Sequence, residues 1–349
     1  MTFFLLAIAY FAALACSAPA SKFTFYNVET PLAGPCDLWN GPDGAIWVDT
    51  LLANKIVRVD PSSGAVTEYS IPYKSGLLPT SVLPSSTQGR VALACVVQPG
   101  YDGKMYLATG IRDQIARINV ETKEVEVFGY VNLAGNLEPL NDAWPVEEGM
   151  FFSQTSGNVI TLFNYNTTEF KDYPLPIPLS GPVGMRTGSD GGLWFCEFLG
   201  NRIGRLNYTD GTIKEYPVPP TLLGPGVMRV ETEGRYLWFT ALEASALGRI
   251  DIYTGEITAY TITNGALFPV EDTEDSKGNV WFTSINDNAL NYLTPSTGKF
   301  TSIQTPGTLV SLPLSLPPHA DIAIHYVQAD NSIWFTELSE NRIGRYSLS

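Results

Sequence analysis

Histidine is nearly absent from this chain, with two among 349 residues. That excludes a site built from several imidazoles. Cysteine is scarce too, at four. Only Cys36, Cys95 and Cys196 lie beyond the N-terminal apolar run, too few for a disulfide scaffold. Charged residues make up 16% of the chain against 44% hydrophobic, which excludes a disordered polymer and leaves ample apolar side chain for a core. Basic residues are the rarer sign, 21 against 35 acidic, for a net charge of −14. Such a surface opposes nucleic acid and anionic membranes. No later stretch is apolar for long enough to span a bilayer. The chain contains no GxSxG elbow, phosphate loop or HExxH motif.

What is present begins with an address. Residues 1–20 carry no charged side chain, and Ala18-Pro-Ala20 fits a small-x-small cleavage site. This reads as a secretory signal peptide, leaving residues 21–349 as a single secreted domain. Two N-x-S/T triplets make Asn166 and Asn207 candidate glycosylation sites.

The remainder is a repeat. An aromatic residue in a short apolar strand recurs at Trp47, Tyr106, Phe151, Trp194, Trp238, Trp281 and Trp334, spaced by 59, 45, 43, 44, 43 and 53 residues. Each unit reads as four short strands separated by turns. In the first unit these are Cys36–Trp39, Ala45–Asp49, Lys55–Val59 and Val66–Ile71. Seven such units predict an all-β, seven-bladed propeller. The last unit lacks a fourth strand, and the segment Lys22–Val28 resembles one, so the N-terminus is expected to complete the seventh blade. The two long intervals place insertions at 73–90 and 306–320, both on the face that carries the connections between blades.

The phrase Gly192-Leu-Trp-Phe-Cys-Glu197, followed by Asn201-Arg-Ile-Gly-Arg205, Asp210-Gly211 and Glu215-Tyr-Pro-Val-Pro219, resembles the streptogramin B (virginiamycin B) lyases. The resemblance covers essentially the whole chain after the leader. It implies magnesium-assisted C–O elimination that opens a cyclic depsipeptide, with catalytic histidines at the start of strand one, at the top of the axis, and an assisting glutamate just after strand two. Eleven residues before each anchor this chain carries Cys36, Cys95, Leu140, Val183, Val227 (or Gly226, given one extra residue), Val270 and Ala323 instead of histidine. The glutamate position is kept at Glu197 and Glu337.

The remaining candidates follow from aligning the blades. His325 aligns beside Glu337, a pair suited to general-base work, and His319 lies in the second insertion. Asp37, Asp142, Glu271, Asp272 and Arg229 align near the axis. The acids among them are oxygen ligands for a Mg²⁺ of the kind the resemblance implies, or solvated groups lining a channel. Cys36 and Cys95 occupy matching positions in adjacent blades, placed to form a disulfide or to line a pocket as thiols. The expected partner is a small-molecule substrate or ligand bound by a monomer. Three activities fit: a lyase, a cofactor-independent cyclase or pericyclase working by orientation in an apolar pocket, and a non-catalytic binding propeller.

Overall fold

The computed structural model describes residues 22–72, 95–109, 114–129, 142–307 and 320–349. The leader, the 73–90 insertion, most of 306–320, Leu140 and His319 lie outside these residues. Seven separate four-stranded antiparallel sheets make up the described chain. It is a seven-bladed β-propeller, as the repeat predicts. Blade one runs through Pro35–Asn40, Ile46–Thr50, Lys55–Val59 and Val66–Ser70. The first strands of most successive blades touch one another around the axis. No described helix is long and apolar enough to cross a membrane.

The seventh blade closes as expected. Phe23–Asn27 pairs with Arg342–Ser347, placing Phe25 opposite Gly344. First and last blades are thereby joined by backbone hydrogen bonds, and an open strand edge is removed.

The repeated phrase is explained by packing. All seven aromatic anchors are buried. Asp43, Asp190 and Asp330 accept from the indole N–H groups of Trp47, Trp194 and Trp334 at 2.9, 3.0 and 3.1 Å. The same carboxylates pair with Arg58, Arg205 and Arg345 on the third strand. Acid, indole and guanidinium thus form one clasp across three strands. The glycine between the motif's isoleucine and arginine lies beneath a phenylalanine ring. A Cβ at Gly204 or Gly344 would fall 2.2 or 2.1 Å from Phe195 or Phe335. The motif's asparagine ties loops together, since Asn341 Oδ1 accepts from Ala33 and Gly34 at 2.8 and 3.1 Å, and Asn201 Oδ1 accepts from Gly224 at 2.9 Å. Both asparagines are left-handed, with φ of 56° and 50°, a conformation their short polar side chain tolerates.

Apolar cores fill the spaces between blades. One joins Leu38, Val48 and Val57 of blade one to Ala323, Trp334 and Ile343 of blade seven. Both sequons lie where the third strand turns into the fourth. Asn166 is exposed, whereas Asn207 is half-buried and donates to Asp210 Oδ2 at 2.9 Å.

Candidate functional site

The axial site is made by a bulge in the first strand. Pairing with the second strand breaks between Pro35 and Leu38, Pro182 and Met185, Pro269 and Asp272, and Asp321 and Ile324. Each break leaves two residues out of register, which re-aims their side chains. These pairs are Cys36–Asp37, Val183–Gly184, Val270–Glu271 and Ile322–Ala323. In blade seven the matching position is therefore Ile322, one residue before the Ala323 given by counting from the anchor. The chain from bulge to anchor is one residue longer there and includes the 3₁₀ turn Gln328–Asp330.

The bulges border a cavity of about 90 Å³, roomy against the ~10–15 Å³ that one water requires. Val183, Val227, Val270 and Ile322 supply apolar wall, and Asp37, Asp142, Arg229 and Glu271 supply the polar lining. Cys95 also borders it, and the Cys36–Cys95 pair is a disulfide joining blades one and two across 5.1 Å between Cα atoms. Of the two arrangements open to these cysteines, the structure adopts the bridge.

Arg229 organises the lining. It grips Asp142 with both terminal nitrogens, and its Nε donates to Glu271 Oε1 at 3.3 Å. Nη1 also donates to the Met185 carbonyl at 3.3 Å. Its backbone N–H donates to Asp272 Oδ1 at 2.9 Å, so Asp272 supports the network from behind and does not border the cavity. Burial opposes the charge of Arg229, but Asp142, Glu271 and Asp37 around it outweigh burial and raise its pKa.

Asp37 is held by two backbone donors, Leu38 at 2.7 Å and Val97 of the next blade at 2.8 Å. Burial pushes its pKa up to about 7, even though Arg229 pulls the other way. Burial, then the nearby Asp37 charge, raises Glu271 well above the ordinary carboxyl range. Asp272 is likewise pushed to about 7 by burial.

Below the cavity the channel is plugged. The Trp39 and Trp144 rings meet edge to face at 6.1 Å beneath the Arg229 guanidinium, which lies 5.9 Å from each. His325 stacks on Trp39 at 4.1 Å, and its Nε2 donates to Asn40 Oδ1 at 2.6 Å. Burial and then Arg229 depress its pKa to about 3, so the ring is neutral at physiological pH. His325 pairs in register with Trp334, whereas Glu337 lies opposite Asp321 at the other end of the strand. The expected His325–Glu337 pair is not formed, because the extra residue in this blade shifts the histidine toward the plug.

Neither glutamate borders the cavity. Glu337 pairs with Arg342 on the third strand. Glu197 reaches over the bare backbone of Gly204, where a Cβ would lie 2.9 Å from its Oε1. Burial, then Glu215 on the fourth strand, raises Glu197 to about 7. Both side chains run outward along the blade, away from the axis.

One device escaped the sequence reading. In four blades the residue two places after the anchor ties neighbouring blades together. Thr240, Thr283 and Thr336 donate to the carbonyls of Val270, Ile322 and Cys36 in the next blade at 3.0, 2.6 and 2.6 Å. Asp49 takes this place in blade one, accepting from the Asp37 and Val96 N–H groups at 2.8 Å each. The recurrence of Thr at a fixed offset from Trp was the available signal.

These buried acids set a pH dependence. Asp37, Asp272 and Glu197 have folded-state pKa values raised to about 7 from 3.8 or 4.5. Raised acids favour the fold below their unfolded pKa, and that contribution is lost as pH rises through the folded value. The midpoint of thermal unfolding is therefore expected to be several degrees higher at pH 5 than at pH 8. Calorimetry at the two values checks this, and an unchanged or rising midpoint would show that these groups are ionised in the fold at no cost.

The fold and site together define a seven-bladed propeller with a charged, buried axial chamber. Residues 80–349 match the Virginiamycin B lyase family, and the chain belongs to that family. Among solved structures it is similar to a streptogramin B lyase, with 24% identity, TM-score 0.74 and coverage of 93% of this chain and 96% of the other. It is also similar to virginiamycin B lyase from Staphylococcus aureus at 23% identity and TM-score 0.75, over 94% and 99% of the two chains. A catalytically inactive variant of that enzyme with quinupristin matches at 24% identity and TM-score 0.75, over the same shares. No curated protein sequence matches. Among the described residues the Mg²⁺ implied by the resemblance finds no donor set. Among the described residues no three His, Cys, Asp or Glu side chains converge as ligands. Asp142 and Asp37 are already committed to Arg229 and to backbone N–H groups.

Proposed function

We propose that this chain is a secreted enzyme performing a lyase-type C–O elimination on a small natural product in the axial cavity, with Asp37 as the base. The carrying observation is that Asp37 is oriented by two backbone donors, borders the cavity beside Arg229, and has a pKa pushed to about 7. A base poised there is half-ionised at neutral pH while keeping proton affinity. In the elimination the Asp37 carboxylate takes the proton from the carbon next to a carbonyl. The electron pair forms the new C=C bond, the adjacent C–O bond breaks, and its pair leaves on the departing carboxylate. Arg229 has one Nη2 N–H beyond the four engaged above, available to the charge that develops on the carbonyl oxygen. Secretion is supported by the leader, the sequons at Asn166 and Asn207, and a disulfide of the kind that persists in oxidising compartments.

A second reading, a cyclase, is favoured by one observation. Val183, Val227, Val270 and Ile322 give the chamber apolar walls suited to folding a substrate by shape. Metabolite comparison of the source with and without the gene discriminates between the two. The lyase reading expects a lactone or ester to accumulate, which the purified protein converts to an isomeric unsaturated acid. A product with a new ring and no new carboxyl group transfers the case to the cyclase. Binding of the accumulated compound without turnover would remove both.

A further inference from the structure

We propose that the axial cavity recognises an organic cation, an ammonium group on a hydrophobic body, seated against Glu271. The proposal rests on the reading that this cavity is the ligand site, and it adds the class of molecule. Charge balance is the first observation. Three carboxyls, Asp37, Asp142 and Glu271, border one cavity with a single guanidinium, Arg229. Asp142 and Arg229 close on each other through two bonds. Arg186 does not make up the difference, because it is engaged by Glu231 and by the Arg229 carbonyl.

The second observation is Glu271 itself. It is 5% exposed and borders the cavity, yet only its Oε1 is bonded, to Arg229 Nε. Oε2 has no partner among the described residues. That oxygen opens onto the cavity, where a ligand that brings three N–H groups and a positive charge can bond it directly. The charged groups facing Glu271 are Arg229, Asp37, Asp142 and Asp272, one cation against three acids. Those facing Asp37 are Arg229 and Asp142, with Asp49 behind its backbone N–H. Acids outnumber cations around both groups, so an added cation is what would hold them ionised.

A metal ion is the poorer occupant, since no three acidic or imidazole ligands converge among the described residues. Phe198 and Leu242 add to the apolar walls formed by Val183, Val227, Val270 and Ile322. These suit an apolar body behind a charged head. A carboxylate head would meet like charge, and an uncharged alcohol would leave the surplus unbalanced.

Calorimetric titration with n-octylamine, 1-octanol and octanoate between pH 6 and pH 8 tests this, because the three probes share a tail and differ in charge. At pH 8 the amine is expected to bind at least ~10-fold more tightly than the alcohol, with octanoate weakest. A cation holds the lining carboxyls ionised. Binding is therefore expected to expel a proton from these raised carboxyls, and amine affinity to fall as the pH is lowered. Buffers of different ionisation enthalpy read that proton directly. Glu271→Gln, nearly isosteric, is expected to bring the amine to the level of the alcohol while leaving alcohol binding unchanged. Equal binding of amine and alcohol, a preference for octanoate, or an amine preference that survives Glu271→Gln overturns the proposal. Alcohol binding without the amine preference overturns it alone. Failure of all three probes overturns it together with the axial reading.

Discussion

Replacing Arg229 with methionine is expected to lower the free energy of unfolding by about 3–5 kcal/mol at pH 7, the range found when one partner of a buried ion pair is removed. The cause is charge and not volume. Methionine fills much of the same space, but Asp142 and Glu271 lose their cation while remaining buried. The bond from the Arg229 backbone N–H to Asp272 survives the substitution, so the loss reports the guanidinium. Two controls separate this account from simple mispacking. At pH 5 the deficit should shrink, because Asp37, half-ionised beside Arg229 at pH 7, is protonated there with or without the guanidinium. Removing Asp142 as well, as Asp142→Leu with Arg229→Met, should recover part of the loss, since replacing both partners by apolar groups is often neutral. Denaturant titration of the four chains gives the coupling directly. A single variant within 1 kcal/mol of the parent, by that same scale, would mean the network contributes little to the fold.

The residues around that network show what a single chain makes legible. Blade number, strand order and closure by Lys22–Val28 were readable because they rest on local chemistry. A tryptophan, its turn acid and its third-strand arginine recur at fixed offsets, as Asp190, Trp194 and Arg205 do. A strand cannot shift register without breaking that clasp. Asp37, Asp142, Arg229 and Glu271, aligned near the axis along the first strand, border one cavity, whereas Asp272, aligned with them, lies behind it. Blade alignment fails where one residue is added. The longer turn of blade seven moved the matching position from Ala323 to Ile322 and sent His325 into the plug beside Trp39. Side-chain direction was beyond alignment altogether. Glu197 holds the family's glutamate position, yet it extends over Gly204 toward the fourth strand, because that glycine leaves room on the side away from the axis. Trp39 and Trp144 meet across the channel from blades one and three, a contact with no counterpart in sequence spacing.

Asp37 then carries the decisive test of chemistry. Asp37→Asn is expected to reduce kcat/KM for the substrate found by metabolite comparison by about 10²–10⁴-fold, the usual contribution of a positioned base. The parent should show kcat/KM falling tenfold per unit below about pH 7, as the carboxylate is protonated. That limb should vanish in the variant, which has no group to titrate there. Asparagine also turns an amide N–H₂ toward one of two backbone donors, Leu38 or Val97, so some stability is lost with the rate. Asp37→Glu separates the two effects. It keeps a carboxylate but displaces it by one methylene, so a slower enzyme with a pH limb still present is expected. A structural role would instead make the two variants equally defective and leave the residual pH profile unchanged. If Asp37→Asn folds and keeps both the parental rate and its pH limb, the proton is taken by another group, and Glu271, the remaining raised carboxyl bordering the cavity, becomes the base to examine.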